Sequence, residues 1–187
     1  MKNYVLSTGC VLLLMGSSLA VAAEPEPALG GYCPVCLVKM NEVVKGDPSF
    51  SSTYDGRTYL FPGAEQKRMF DANPTAFVPA LGGACTVCKV EKGKRVPGKA
   101  EFHLTHNGRL FLFPSQKQLG MFQANPDRYA NADVAMDGYC PVCKIEMGKD
   151  VKGKPDFAVD YEGKRYLFPG QKQLDMFQRD PVKYAVN

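Results

Sequence analysis

The sequence of 187 residues contains no tryptophan and only two histidines, His103 and His106. Histidine is a frequent general acid–base and metal ligand in proteins, so little material is present for either kind of site. The two histidines lie three positions apart in a segment that alternates like a β-strand, and we expect their side chains on opposite faces. No phosphate-binding loop, no paired catalytic carboxylates and no nucleophile–histidine set is visible either. We therefore expect that this protein is not an enzyme.

Strong charge of either sign is absent as well. Lysine and arginine number 23 against 19 aspartates and glutamates, which gives a formal net charge of +4. A balance this mild gives no reason to expect a nucleic-acid partner or binding to an anionic membrane. The most basic stretch, residues 89–100, is interpreted as a solvated loop, and the identity of any protein partner stays open.

Long apolar runs are missing except at the N-terminus. Residues 1–23 carry one early lysine, an uncharged apolar stretch and small residues at the end, which is the build of a secretory signal peptide. Lipidation at Cys10 and retention of residues 4–23 as an anchor are the alternatives to cleavage. With the leader removed, no segment is long and apolar enough to span a membrane. We expect an exported protein, periplasmic or secreted, where paired thiols tend to be oxidised unless a metal or a reductant holds them.

Cysteine is the residue type with the clearest pattern. GYCPVC stands at 31–36 and again at 138–143, and the related GACTVC stands between them at 83–88. Six of the seven cysteines therefore form three Cys-x-x-Cys pairs. These six are the candidate metal ligands: Cys33, Cys36, Cys85, Cys88, Cys140 and Cys143.

The three pairs mark three internal repeats. After the second cysteine of each pair a turn glycine follows 20 positions later, and a proline follows 18 positions after that glycine, without a gap in any repeat. Constant internal spacing indicates that each repeat is one folded unit. The predicted organisation is a signal peptide at 1–23, a linker at 24–29, and repeats at 30–79 (repeat 1), 80–132 (repeat 2) and 133–187 (repeat 3).

Each repeat has the pattern of a small α+β unit. Asp-Gly, Asn-Gly or Glu-Gly separates two alternating apolar runs, which predicts a β-hairpin. A Phe-Pro step then ends the second strand, and a short helix with a Met-Phe pair in its core follows until a proline ends it. An aromatic residue closes the unit three positions after that proline. We predict three tandem units, each made of a Cys-x-x-Cys loop, a β-hairpin and a short α-helix.

Repeat 3 carries the closest copy of a known pattern. Its segments CPVCKIEM, YEGKRYLF and MFQRDPVKY resemble the YHS domain, a small module related to treble-clef, TRASH-like metal-binding domains. The resemblance extends over nearly the whole mature chain, three times, and implies metal binding. The chain departs from the family in two places: a cysteine replaces the Asp before Pro-Val-Cys, and Pro and Gln replace the later cysteines. Only Cys36, Cys88 and Cys143 match a cysteine position of the family.

The number of donors limits the choice of metal. A structural zinc site takes four ligands, and one repeat supplies two thiols, so zinc would require two repeats to pool their pairs. The pooled set would be Cys33, Cys36, Cys140 and Cys143. Cu(I) is a soft ion that fewer thiolates can hold, with Met40 and Met147 as candidate thioether helpers. Repeat 2 has Thr86 in place of proline and Lys92 in place of methionine, and we expect it to be the weakest site.

Two other uses of a Cys-x-x-Cys pair stay open. A disulfide that closes a loop of about four residues would stabilise each unit by roughly 2 kcal/mol, as in a stapled extracellular or envelope interaction module. A dithiol–disulfide redox couple has the same spacing, but redox motifs of this kind accompany a βαβ fold, which is not predicted. The sequence thus favours an exported protein that binds copper, or else zinc, through its cysteine pairs.

Overall fold

A computed structural model describes residues 26–186. The predicted signal peptide lies outside the described residues. Within them the chain forms the same succession of elements three times, and each copy contains a two-stranded antiparallel sheet. The predicted α+β class and the tandem arrangement are thereby confirmed.

The elements of the three repeats correspond one to one. Each repeat opens with a 3-10 turn: Ala28–Gly31, Ala80–Gly83 and Ala135–Gly138. The helices at the cysteine pairs are α1 (Pro34–Lys39), α3 (Thr86–Lys92) and α6 (Pro141–Met147). The hairpins are β1 (Asp47–Tyr54) with β2 (Arg57–Phe61), β3 (Lys99–His106) with β4 (Arg109–Phe113), and β5 (Lys154–Tyr161) with β6 (Lys164–Phe168). The longer helices are α2 (Ala64–Ala72), α4 (Gln116–Ala124) and α7 (Gln171–Arg179). The closing turns are the 3-10 turn Pro74–Ala76 and the helices α5 (Pro126–Tyr129) and α8 (Pro181–Tyr184). Over residues 26–186, every helix is too short or too polar to cross a membrane.

The cysteine pairs open helices, where a loop was expected. In repeats 1 and 3 the first helical residue is a proline, Pro34 or Pro141, whose fixed φ suits the start of a helix and whose missing N–H is not needed there. In all three repeats the sulfur of the first cysteine accepts a backbone N–H of the first turn, in the way that a capping side chain does. These helices have six or seven residues, too few to show a 3.6-residue period in the sequence.

A glycine lets the chain pass close over each hairpin. Gly46, Gly98 and Gly153 each lie 10 positions after the second cysteine of their repeat. A Cβ atom on any of them would overlap the backbone of the second strand, at Leu60, Leu112 or Leu167. The spacing of this glycine is as constant as that of the turn glycine, and its cause is close approach of two backbone segments.

One phenylalanine centres the core of each repeat. In repeat 3 the ring of Phe177 lies 4.8 Å from Tyr166, 5.3 Å from Phe168 and 6.4 Å from the closing Tyr184, measured between centroids. Equivalent rings surround Phe70 and Phe122, and all three phenylalanines are buried. The methionine before each of these phenylalanines is partly buried against the same core, so the predicted core role of the Met-Phe pairs is confirmed.

Repeats 1 and 2 meet through an apolar contact. Leu37 of α1 packs with Ala100, Leu110 and Leu112 on the hairpin of repeat 2, and all four side chains are buried. Leu29 from the opening turn of repeat 1 lies against the same cluster. The contact gives the small unit of repeat 1 a shared core, which an isolated unit of about 50 residues needs for stability.

Repeat 3 is joined to repeat 2 through charged groups. The carboxylate of Asp133, 1% exposed, lies 2.5 Å from the guanidinium of Arg109 and accepts the backbone N–H of Leu81 at 3.0 Å. Within repeat 3, next to this junction, Arg165 pairs with Asp160 at 3.2 Å, and its backbone N–H donates to the carbonyl of Asp133. Buried charges need partners of this kind, because an unpaired ion out of water is costly.

The hairpin tip of repeat 1 also contacts repeat 3. The carboxylate of Asp55 accepts the backbone N–H groups of Glu162 at 2.9 Å and Gly163 at 3.2 Å, in the hairpin turn of repeat 3. Nearby, the guanidinium of Arg57 donates to the carbonyl of Gly82 at the start of repeat 2. The three repeats thus meet around their hairpins.

Candidate metal centre

The start of a short helix positions the two sulfurs of each pair. The first cysteine is the residue before the helix, and the second is the third residue within it. The Sγ of Cys33 accepts the backbone N–H of Cys36 at 3.4 Å, and the same contact measures 3.2 Å in each of the other two pairs. The two cysteines of a pair are therefore held in one fixed relation in all three repeats.

A neighbouring extended segment fixes the first cysteine from the other side. Its backbone N–H donates to a valine carbonyl at 2.8 to 2.9 Å, and the pairs are Cys33 with Val44, Cys85 with Val96, and Cys140 with Val151. The glycine two residues after that valine donates its N–H to the carbonyl of the last glycine in the opening 3-10 turn, as Gly46 does to Gly31. The cysteine pair is thus enclosed between the opening turn and this segment.

All six thiols are free and buried. Cys33, Cys36, Cys85 and Cys140 are 0% exposed, Cys143 is 1% exposed and Cys88 is 7% exposed. The cysteines belong to the aromatic cores of their repeats, so that Cys33 and Cys36 share a cluster with Tyr59, Phe61 and Phe70. Free cysteine behaves as a small apolar residue in such surroundings.

Burial raises the pKa of one thiol in each pair to about 12: Cys36, Cys85 and Cys140. Loss of water around the thiolate is the largest cause in all three, and the hydrogen bond and charge of the partner cysteine add to it. Backbone N–H groups at the helix start lower the same pKa by a smaller amount. A free pair therefore does not hold two thiolates at neutral pH, and a cation must displace the protons in order to bind.

The pairs do not come together into a larger ligand set. Among residues 26–186, no group of three or more His, Cys, Asp or Glu side chains is placed to hold a metal ion. The four-thiol set pooled from Cys33, Cys36, Cys140 and Cys143 is accordingly not formed. The candidate thioether helpers are about half exposed, whereas the thiols are buried. Met40 is 48% exposed and Met147 is 52% exposed.

The two histidines have packing contacts. His106 takes the position of a core tyrosine and meets the ring of Phe122 edge-on at 5.7 Å. His103 places Nδ1 2.7 Å from the carbonyl of Ala100. These contacts agree with the packing interpretation of the histidines.

This donor set fits a soft ion that accepts two sulfurs, and it does not fit four-coordinate zinc. Each pair offers two thiols at one helix start, and in the part of the chain that the structure describes no His, Asp, Glu or further Cys is placed as a third donor. Zinc in structural sites is tetrahedral with four ligands, whereas thiolates are the preferred ligands of Cu(I). A single pair is therefore a donor set that Cu(I) accepts, and it supplies half of the four ligands of a structural zinc site.

Sequence reasoning missed a tyrosine–lysine pair beside two of the three sites. Lys45 lies 4.5 Å from the ring centroid of Tyr32 and donates to the carbonyl of Gly30 at 2.6 Å. Lys152 lies 3.9 Å from the ring centroid of Tyr139 in the same relation. The signal was present in the sequence, since repeats 1 and 3 share a tyrosine before the first cysteine and a lysine nine positions after the second.

Comparison with known proteins agrees with the geometry in repeat 3. The YHS domain family matches residues 141–187. Repeat 3 is thus similar to the YHS domain from the first residue of α6 onward, which supports metal binding as the class of activity. The match covers one repeat, so three tandem YHS copies stay a prediction, although the same elements recur three times in the fold.

A second similarity is distant. The chain is 24% identical over 162 residues to adenylate kinase 9 of Mus musculus, a match that covers 82% of this chain and 7% of that protein. The chain thus spans a small fraction of the length of this curated relative. No solved structure matches the chain.

Proposed function

We propose that this chain is an exported protein that binds a soft metal ion, Cu(I) before zinc, through its Cys-x-x-Cys pairs. The observation that carries the proposal is the self-contained pair, in which two buried thiols lie at one helix start and, within residues 26–186, no His, Asp, Glu or further Cys side chain joins them. The similarity of repeat 3 to the YHS domain supports metal binding as the class. Export rests on the signal-like segment at 1–23.

The residues that would hold the ion are the two cysteines of each pair, for instance Cys140 and Cys143 in repeat 3. Bound Cu(I) would supply a positive charge that offsets the thiolates in an apolar site. The protein itself would supply the fixed spacing of the sulfurs and a helix start whose N–H groups face one of them. Because burial raises the pKa of one thiol in each pair, uptake displaces a proton and becomes stronger as pH rises.

The competing function is a disulfide-stapled module in the cell envelope or outside the cell. It is favoured by the apolar surroundings of the thiols, since a neutral disulfide avoids the cost of a buried charge. A thiol–disulfide redox protein is a weaker alternative: its motifs also open a helix, but here the helix belongs to a hairpin unit and no βαβ fold surrounds it.

The test is a Cu(I) titration of the anaerobically reduced protein against a chromogenic Cu(I) chelator, with thiols counted before and after reduction. We expect one ion per pair, and loss of one ion when Cys140 and Cys143 are both changed to Ser. Ile145→Ala is the matched control, because this half-exposed side chain lies on the same helix and is not a candidate ligand. We expect it to bind as much copper as the unaltered protein.

The same experiment separates the alternatives. Reduced protein that takes no copper from the chelator, after isolation with six blocked thiols, would contradict the metal proposal and support the staple. Catalysed reduction of insulin by the protein would support the redox alternative. The mass of the mature chain after expression in a host that processes leaders would test export, and a chain that keeps residues 1–23 in the cytoplasm would overturn it.

A further inference from the structure

The cysteine pair of repeat 2 differs from the other two in its access to solvent. Cys88 is 7% exposed, while its counterparts Cys36 and Cys143 are 0% and 1% exposed. The three pairs share the same helix-start geometry, so the difference arises from the residues around them.

The helix start of repeat 2 is also built less firmly. Thr86 stands where repeats 1 and 3 have proline, so α3 lacks the preset φ that favours the first turn. The Thr86 side chain is buried, and its Oγ1 has no hydrogen-bond partner within the described part of the chain. A buried hydroxyl without a partner destabilises the closed state, and water would satisfy it when the turn opens.

In repeat 2, the extended segment that encloses the cysteine pair has no lysine that bonds to the opening turn. In repeat 3, Lys152 reaches from this segment to the carbonyl of Asp137 in the opening turn, across the ring of Tyr139. In repeat 2 the two positions are Ala84 and Pro97, which form a backbone bridge but supply neither an aromatic ring nor an ammonium group. The segment that covers the Cys85–Cys88 pair is linked to the opening turn by a guanidinium instead, since Arg95 donates to the carbonyl of Leu81 at 3.0 Å.

Packing between repeats leaves α3 uncovered as well. Leu37, the residue after the second cysteine of repeat 1, is buried against repeat 2, whereas the equivalent Lys89 is exposed. Repeat 3 shares the exposed lysine, Lys144, but keeps both its proline and its tyrosine–lysine pair. Repeat 2 is thus the one repeat of the three that lacks the helix-start proline, the tyrosine–lysine pair and the apolar cover together, and Arg95 alone links its enclosing segment to the opening turn through a side chain.

We propose that the Cys85–Cys88 pair of repeat 2 is the exchange site of the protein, where a soft electrophile such as Cu(I) enters and leaves first. The pairs of repeats 1 and 3 are retention sites that open more slowly. Local opening of a less stable segment determines access to a buried group, and a thiol reacts only once it is reached. The metal part of this inference rests on the proposed function, while the order of access does not.

The test of access uses metal-free, reduced, full-length protein. Limited alkylation with N-ethylmaleimide, followed over time by peptide mapping, should modify Cys88 several-fold faster than Cys36 and Cys143. Thr86→Pro should slow Cys88 several-fold, and the reciprocal Pro141→Thr should accelerate Cys143. A second variant, Ala84→Tyr with Pro97→Lys, places the tyrosine–lysine pair in repeat 2 and should also slow the alkylation of Cys88. Circular dichroism of each variant confirms that it is folded.

Equal rates at Cys36, Cys88 and Cys143, or a rate at Cys88 that Thr86→Pro does not change, would overturn the inference. A copper arm distinguishes it from the proposed function. If Cu(I) binds, its removal by a chelator should show a fast phase that disappears when Cys85 and Cys88 are both Ser. Protein that takes up no copper but labels Cys88 first would refute the proposed function and uphold the order of access.

Discussion

Repeat 2 meets repeat 1 through apolar side chains and meets repeat 3 through charged ones. At the first junction Leu37 packs on Leu110 and Leu112. At the second, Arg109 pairs with the buried Asp133 of repeat 3, and beside this pair Arg165 contacts the partly buried Asp160 within repeat 3. Position 110 of repeat 2 corresponds to position 165 of repeat 3, so one place in the hairpin has an apolar residue at one junction and a charged residue at the other.

The difference shows how copies of one unit acquire different neighbours. An apolar junction is stabilised by removal of surface from water and has no titrating group. A buried charged junction costs desolvation free energy, requires fixed partners and depends on pH through their protonation. The fold of the units is the same in both cases, and a few outward-facing residues decide which contact forms.

The largest expected effect comes from removing the apolar junction. Leu37→Ala should lower the free energy of unfolding by about 2 to 5 kcal/mol, as other buried leucines do. Urea denaturation measures it, and the loss should be the same at pH 5 and pH 7, because no charged group takes part. The matched control is Lys89→Ala at the equivalent exposed position of α3, which should change stability by no more than about 0.5 kcal/mol. Equal losses in the two variants would mean that the repeat 1–2 contact does not stabilise the protein.

The charged junction should respond to pH in a defined direction. Burial raises the pKa of Asp160 from 3.8 to about 6, against the lowering effect of Arg165. The charges of three further groups act on it, and they are Asp133, Arg109 and Asp55. Because the folded state holds this proton more tightly, its contribution to stability is full below about pH 4 and is lost as pH rises through 6.

Asp160→Asn isolates this contribution. Since Asn does not titrate, the stability of the wild type relative to this variant should fall by an amount on the order of 3 kcal/mol between pH 4 and pH 7. Urea denaturation of both proteins across that range gives the difference, in which the other titrating groups cancel. A difference that stays constant with pH would show that Asp160 titrates normally and that the junction is more hydrated than its 14% exposed side chain indicates.

The elements that depend on a local sequence pattern, the hairpins and the longer helices, were predicted correctly. Turn dipeptides such as Asp55-Gly56, strand alternation and the proline after each longer helix gave the hairpins and helices of all three repeats. The helices α1, α3 and α6 were not predicted, because six or seven residues are too few to show a helical period in the sequence. The Cys-x-x-Cys pairs were identified as the candidate site, but their enclosure by Lys45 or Lys152 involves contacts that only the fold brings together.

Contacts between repeats could not be predicted from one sequence. Asp133 is the first residue of repeat 3 in the predicted division, and its side chain is buried against Arg109 and the backbone of Leu81, both in repeat 2. Leu37 differs from Lys89 and Lys144 at one repeat position, and that difference does indicate a covered helix face in repeat 1. It does not identify the surface that covers it, because the partner residues lie 63 to 75 positions away in the chain.

The smallest expected effect concerns the contact between the hairpin tips of repeats 1 and 3. Asp55→Ala removes the acceptor for the N–H groups of Glu162 and Gly163, a loss comparable with that of a helix cap, about 1 kcal/mol. Asn107→Ala changes the equivalent turn position of repeat 2, where no such contact to another repeat is made, and should have less effect. Hydrogen exchange gives the sharper measurement, because the amide of Gly163 should exchange faster in Asp55→Ala and at the wild-type rate in Asn107→Ala. Unchanged protection of Gly163 in Asp55→Ala would mean that repeat 3 is held by its junction with repeat 2 alone.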